Sequence, residues 1–187
     1  MNHLLAGFLG NPGNKYAKTR HNVAWRFLEV LKKEYGLDEK EEKTFSQATI
    51  KTEFHTVHFV RPLEFMNLSG KAISKISNLY KIDISKILIV HDELDLEFGV
   101  VKNKIGGGSA GNNGIKDIIE KLGNPGFARL RLGIGKPPKD SPIDVGDYVL
   151  MNFTSEEELN LPSIFESAKT KFQEWIRIQD LQHGKRT

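Results

Sequence analysis

Residues 86–95 read KILIVHDELD: four aliphatic side chains in succession, then a histidine and three carboxylates. A short apolar run closed by charge predicts a strand buried on both faces over 86–91, as found inside a parallel sheet. Working outward, residues 3–9 (HLLAGFL) predict a second apolar strand. Residues 22–35 predict an amphipathic helix on Val23, Phe27, Leu28 and Leu31, ended by Gly36. The charged run 38–43 reads as a solvated turn. Residues 44–51 and 54–61 read as a hairpin closed by Pro62, and Ser69 as the cap of a helix reaching about Lys81. Beyond the central run come a strand at 100–105, a helix at 113–122 stopped by Gly123 and a strand at 128–134. A glycine- and proline-bearing loop leads to a short strand at 147–150. Thr154 and Glu157 form a capping box for a C-terminal helical region that Pro162 should restart or kink, with a polar, frayed tail at 183–187. Strands alternating with helices need crossover connections. The expected fold is therefore α/β: one domain over 1–187, with a mixed, mostly parallel twisted sheet flanked by helices. The pentapeptide LGNPG at 9–13 and 122–126 reads as two similar turns rather than a duplicated unit.

Composition narrows the function classes. In 187 residues, 39% are hydrophobic and 27% charged, and there is no cysteine. Disulfide scaffolds, thiol chemistry and thiolate metal sites are excluded. No stretch approaches the ~18 apolar residues of a membrane span, and the N-terminus lacks the basic region of a signal peptide. A soluble, cytoplasmic protein is expected. The net charge of +3 is unevenly placed: residues 100–139 hold eight cations against two acids, and the remainder nineteen against twenty-two. Period 2 puts Lys102 and Lys104 on one face of their strand and Arg129 and Arg131 on one face of theirs. Paired cations on two strands suit a run of phosphates, and nucleic acid becomes the leading ligand class.

Functional side chains in α/β sheets gather beyond the carboxyl ends of strands. Three such ends are loaded here: Gly10 to Gly13 with Tyr16 and Thr19-Arg20-His21-Asn22; Pro62 to Phe65 with Met66-Asn67-Leu68-Ser69; and His91-Asp92-Glu93-Leu94-Asp95. A histidine at a helix start, opposite an aspartate at a neighbouring strand end, suggests an imidazole base oriented by a carboxylate. His55 and His58, three apart on a strand, point to opposite faces and make a poor metal pair, and no metal is expected. Residues 106–111 (GGGSAG) match both a dinucleotide-binding and a nucleophilic-serine pattern. The first fails because the acid due about twenty residues on is replaced by Arg129 and Arg131. The second requires a later histidine, and only His183 follows Ser109. The simpler reading is a glycine loop whose amides approach a ligand.

Together, FLGNPGNKYAKTRHNVAW (8–25), RPLEFMNLSGKAI (61–73), IVHDELDLEFGVVKNKIGGG (89–108), GNNGIKDIIEKLG (111–123) and FARLRLGIGKP (127–137) resemble bacterial peptidyl-tRNA hydrolases in order and spacing. The resemblance implies cleavage of the ester joining a peptide to the 3′ end of tRNA, a ribosome-rescue role in translation. It implies a cytoplasmic monomer that uses neither metal nor cofactor. It also implies His21 as catalytic base, Asp92 as its orienter, and Asn11 as an amide that positions substrate or supports the oxyanion. Tyr16, Met66, Asn67 and Asn113 would be cleft residues, and Lys102, Lys104 and Arg131 tRNA-phosphate cations. Ser109 and Asn112 stand where the family has histidines, and Asn112 can donate a hydrogen bond but carry no charge. Phe8 replaces a common glycine and is expected only to pack. Two rival readings remain: a serine esterase acting through Ser109, and an RNA-binding module without catalysis.

Overall fold

The computed structural model describes residues 2–184. The frayed tail expected at 183–187 falls largely outside them, since 185–187 are not described and the last helix closes at Gly184. In chain order the elements are β1 (Asn2–Phe8), α1 (Val23–Tyr35), β2 (Lys40–Glu41), β3 (Phe45–Lys51), β4 (His55–Pro62), α2 (Ser69–Leu79), β5 (Ile87–Glu93), β6 (Val101–Ile105), α3 (Asn113–Leu122), β7 (Ala128–Gly133), α4 (Val145–Val149) and α5 (Ser155–Gly184).

The strands form one mixed sheet in the order β2-β3-β4-β1-β5-β7-β6. The inner strands β4, β1, β5 and β7 pair in parallel, and the outer pairings β2–β3, β3–β4 and β6–β7 are antiparallel. Helical crossovers account for the parallel centre; short connections join the antiparallel pairs β2–β3 and β3–β4, whereas β6 and β7 pair antiparallel with α3 between them in the chain. Alternation sorts each central strand between two cores. Leu4, Ala6, Phe8, Leu88 and Val90 pack toward α1 and α5. Leu5, Ile87 and Ile89 pack toward α2 and α3. Helix α1 ends where Gly36 takes φ 61°, a left-handed conformation that costs glycine little.

Four local expectations are corrected. Residues 147–150 are no strand: Asp144 caps α4 by accepting from the Asp147 amide at 2.9 Å, and four residues are too few for periodicity to reveal a helix. Ser69 lies inside α2, and its hydroxyl donates to the Met66 carbonyl at 2.7 Å. The 38–43 turn contains β2, whose two residues pair with Ser46 and Gln47. Helix α5 runs through Pro162 without restarting.

One face of the sheet is held by an aromatic cluster. Phe172 of α5 is fully buried, with ring centroids 5.6 Å from Phe59, 6.3 Å from Phe8 and 6.4 Å from Phe27. Phe8 is fully buried within this cluster, and its carbonyl accepts from Trp25 Nε1 at 2.9 Å. Replacing Phe172 by alanine should cost about 3–5 kcal/mol. It should be read as a lower urea midpoint at unchanged slope.

Candidate active site

The site grows from the alternation of β5. Asp92 follows Leu88 and Val90 on the α1 side, and Glu93 follows Ile89 and His91 on the other. A single 3₁₀ turn, Arg20–Asn22, leads directly into α1 and sets His21 above Asp92. His21 Nδ1 lies 2.8 Å from Asp92 Oδ2. The carboxylate is only 4% exposed. Its other oxygen, Oδ1, accepts from Asn112 Nδ2 at 3.4 Å, and Asn112 Oδ1 caps α3 by accepting from the Ile115 amide at 3.0 Å. Burial works against the imidazolium of His21. The charge and hydrogen bond of Asp92 together outweigh it and raise the imidazole above its ordinary pKa.

Residues on either side of His21 anchor it. Arg20 is buried, donating to the Asn152 carbonyl at 2.7 Å and to Glu157 Oε2 at 2.8 Å, with its guanidinium 4.4 Å from the Tyr148 ring centroid. Glu157 also accepts from the Thr154 amide at 2.8 Å, so the expected capping box exists and its carboxylate does two jobs. Asn22 donates to the Asn11 carbonyl at 2.9 Å and accepts from the Asn11 amide at 2.8 Å. The side-chain oxygen of Asn11 in turn accepts from the Met66 amide at 2.8 Å. That bond fixes the amide's orientation and leaves Nδ2 as its uncommitted donor. Arg20, Asn22 and Glu157 were assigned no site role from sequence. The Arg20–Glu157 pair spans 137 residues, and the local capping-box pattern that marks Glu157 says nothing of its second partner.

A cleft of about 190 Å³ is lined by His21, Asp92, Glu93, Asn112 and Asn113, with Val145 and Val149 of α4 on its far side. Asn113 is exposed at the first turn of α3, and Asn67 is exposed on the turn Met66–Leu68. Tyr16 is half-buried and meets Phe65 edge-on at 6.3 Å. Met66 does not face an open cleft: its side chain is in the second core, beneath Gly114, where an added Cβ would lie 2.6 Å from Met66 Sδ. The backbone of Met66, rather than its thioether, reaches Asn11.

The cations divide by role. Antiparallel register sets Lys102 opposite Arg131 and Lys104 opposite Arg129, so all four share one face. Lys102 and Lys104 are exposed. Arg129 is buried and ties the glycine loop down through the Gly107 and Gly108 carbonyls, while Arg131 pairs with Glu93 at 3.4 Å. Ser109 finds no triad. His183, the histidine after it, hydrogen-bonds Asn2 at the start of β1, whereas Ser109 precedes α3, which opens at the carboxyl ends of the parallel strands. His55 pairs with Asp180 of α5 and His58 with His3, on opposite faces of β4 as the spacing required. Among the described residues, no three His, Cys, Asp or Glu side chains gather as a metal site would need.

The family model described as peptidyl-tRNA hydrolase matches residues 4–186. The peptidyl-tRNA hydrolase of Edwardsiella ictaluri is 44% identical over 164 residues, covering 86% of this chain and 83% of that protein. That of Wolinella succinogenes is 41% identical over 172 residues, covering 90% and 84%. The crystal structure of peptidyl-tRNA hydrolase from Acinetobacter baumannii superposes with a TM-score of 0.87 at 37% identity, covering 97% of this chain and 92% of that one. A match along almost the whole chain, joined to the same tertiary structure, places this protein in the peptidyl-tRNA hydrolase family.

Proposed function

We propose that this chain hydrolyses the ester joining a peptide to the 3′-terminal ribose of tRNA, with His21 as the general base. The observation that carries the reading is the 2.8 Å bond between His21 Nδ1 and Asp92 at the mouth of the cleft. A carboxylate can only accept here, so Nδ1 carries the proton and Nε2 is the free base. Nε2 takes a proton from water as the oxygen attacks the ester carbonyl. The resulting oxyanion meets a preorganised amide donor, for which Asn11 Nδ2 is suited because Met66 holds its oxygen. Collapse of the tetrahedral intermediate breaks the acyl–oxygen bond, and the imidazolium returns the proton to the departing ribose oxygen. Water is consumed, and a free peptide and tRNA are released.

Asn113 in the cleft wall, with Asn67 and Tyr16, supplies substrate contacts, and Lys102 and Lys104 on the edge strand β6, with Arg131 on β7, meet phosphates. Met66 contributes through its amide. The chain acts as one catalytic unit, a cytoplasmic monomer needing neither metal nor cofactor. Among the described residues, no helix is long and apolar enough to cross a membrane.

Incubation with N-acyl-aminoacyl-tRNA in the presence of EDTA should release the acyl-amino acid. His21→Ala should lower kcat by about 100- to 10,000-fold, the range of general-base assistance, while Ser109→Ala should change little. Full activity in His21→Ala would remove the mechanism. The sign of the pH dependence is fixed by which form acts. Neutral imidazole is active and its pKa is raised, so the acid limb of kcat should lie above the usual histidine value of about 6.5. In Asp92→Asn the raising interactions disappear and burial remains. The limb should then move to lower pH as the maximal rate falls, measured by single-turnover rates from pH 5 to 9. Affinity for tRNA should weaken with salt, and Lys104→Ala should flatten the log–log slope by up to ~0.9.

A further inference from the structure

The face of β5, β6 and β7 that carries Lys102, Lys104, Arg129 and Arg131 contains one acid, Glu93. Glu93 pairs in register with Gly133, which has no side chain, so its carboxylate turns to Arg131 one neighbour away. Arg131 is poorly satisfied there. The contact is long at 3.4 Å, and Arg131 Nε is buried without a partner among the described residues. The other cations differ: Arg129 is spent on the glycine-loop carbonyls, and Lys102, directly across from Arg131, is exposed. Glu93 also borders the cleft beside His21 and Asp92. One carboxylate therefore touches both the hydrolytic cleft and the basic strip.

We propose that Glu93 is the resting counterion of Arg131, an autoinhibitory contact that an RNA phosphate must displace to bind. This rests on the reading of Arg131 as a phosphate ligand. Displacement breaks one charge-assisted hydrogen bond for each one formed. A polyanion that offers Arg131 a phosphate alone then gains little. One that also fills Lys102 and Lys104 gains enough to open the pair. Glu93 thus weakens a polyanion that engages Arg131 by the free energy of opening the pair, and leaves one that bypasses Arg131 unaffected.

The test measures binding of deacylated tRNA, and of a 20-nucleotide single-stranded RNA, to wild type, Glu93→Gln, Arg131→Ala and the double variant over a salt series. Arg131→Ala should weaken tRNA binding. Glu93→Gln should tighten it by about three- to fivefold, the scale of a partly exposed ion pair. It should tighten the short RNA by no more than this factor and steepen the tRNA salt slope by up to ~0.9, because an internal counterion is replaced by solution ions. The double variant should match Arg131→Ala. Unchanged affinity in Arg131→Ala would remove the phosphate reading beneath the proposal. Weakening in Arg131→Ala without tightening in Glu93→Gln would overturn the proposal alone. Equal tightening by Glu93→Gln with or without Arg131 would also overturn it, since Glu93 would then act only through net charge. Thermal unfolding of each variant reports folding. If Glu93→Gln does not fold, Glu93→Asp, which withdraws the carboxylate from Arg131, should tighten binding less but in the same direction, and no tightening there would count equally against the proposal.

Discussion

A carboxylate buried at the end of a central strand is costly unless each oxygen is bonded, and Asp92 is the constraint around which this site is arranged. One oxygen takes the proton-bearing nitrogen of His21, the other the amide of Asn112. These partners come from opposite sides: the turn before α1 supplies the imidazole, and the cap of α3 supplies the amide. Removing one member of a buried ion pair typically costs about 3–5 kcal/mol. The same pairing that orients the imidazole thus couples β5, α1 and α3. Asn112 carries no charge, yet it keeps the hydrogen-bonding role open to that position and caps the start of α3 at the same time.

The imidazole is held as firmly from behind. Arg20 is buried, and a buried guanidinium persists only where carbonyls, a carboxylate and aromatic faces receive it. Helix α4, the segment after it and the first turn of α5 supply all three through Tyr148, Asn152, Phe153 and Glu157. The C-terminal third of the chain, remote in sequence from His21, therefore fixes where that side chain stands. Asn22 does the equivalent for Asn11, so the turn that carries His21 also fixes the loop after β1.

The basic edge follows a different logic. Two strands of alternating sequence put four cations on one face, but neighbours change what each can do. Arg129 became a structural tether for the glycine loop, and Arg131 acquired an acid. The glycine run that imitates two nucleotide or nucleophile motifs is held down by that tether, and Ser109 within it meets no triad.

Much of this was legible in the chain. The apolar run 87–90 followed by charge fixed a buried strand. Alternation fixed that Lys102 and Lys104 share a face, and Thr154 with Glu157 fixed a helix start, because each depends only on spacing within one element. The pairing of His21 with Asp92 was readable as chemistry at two strand ends, and through family resemblance. Short segments were not legible: residues 144–149 became a helix through one Asp cap and Tyr148 packing, which four residues of pattern cannot encode. Nor could the sequence assign Arg20 and Glu93, whose partners are distant in the chain, or Asn22, whose bonds to Asn11 cross between two loops. Local spacing determined which residues face which way. Only the packing of β5 between the two helical layers decided which of them meet, because burial makes every polar group choose a partner and that choice is made in three dimensions.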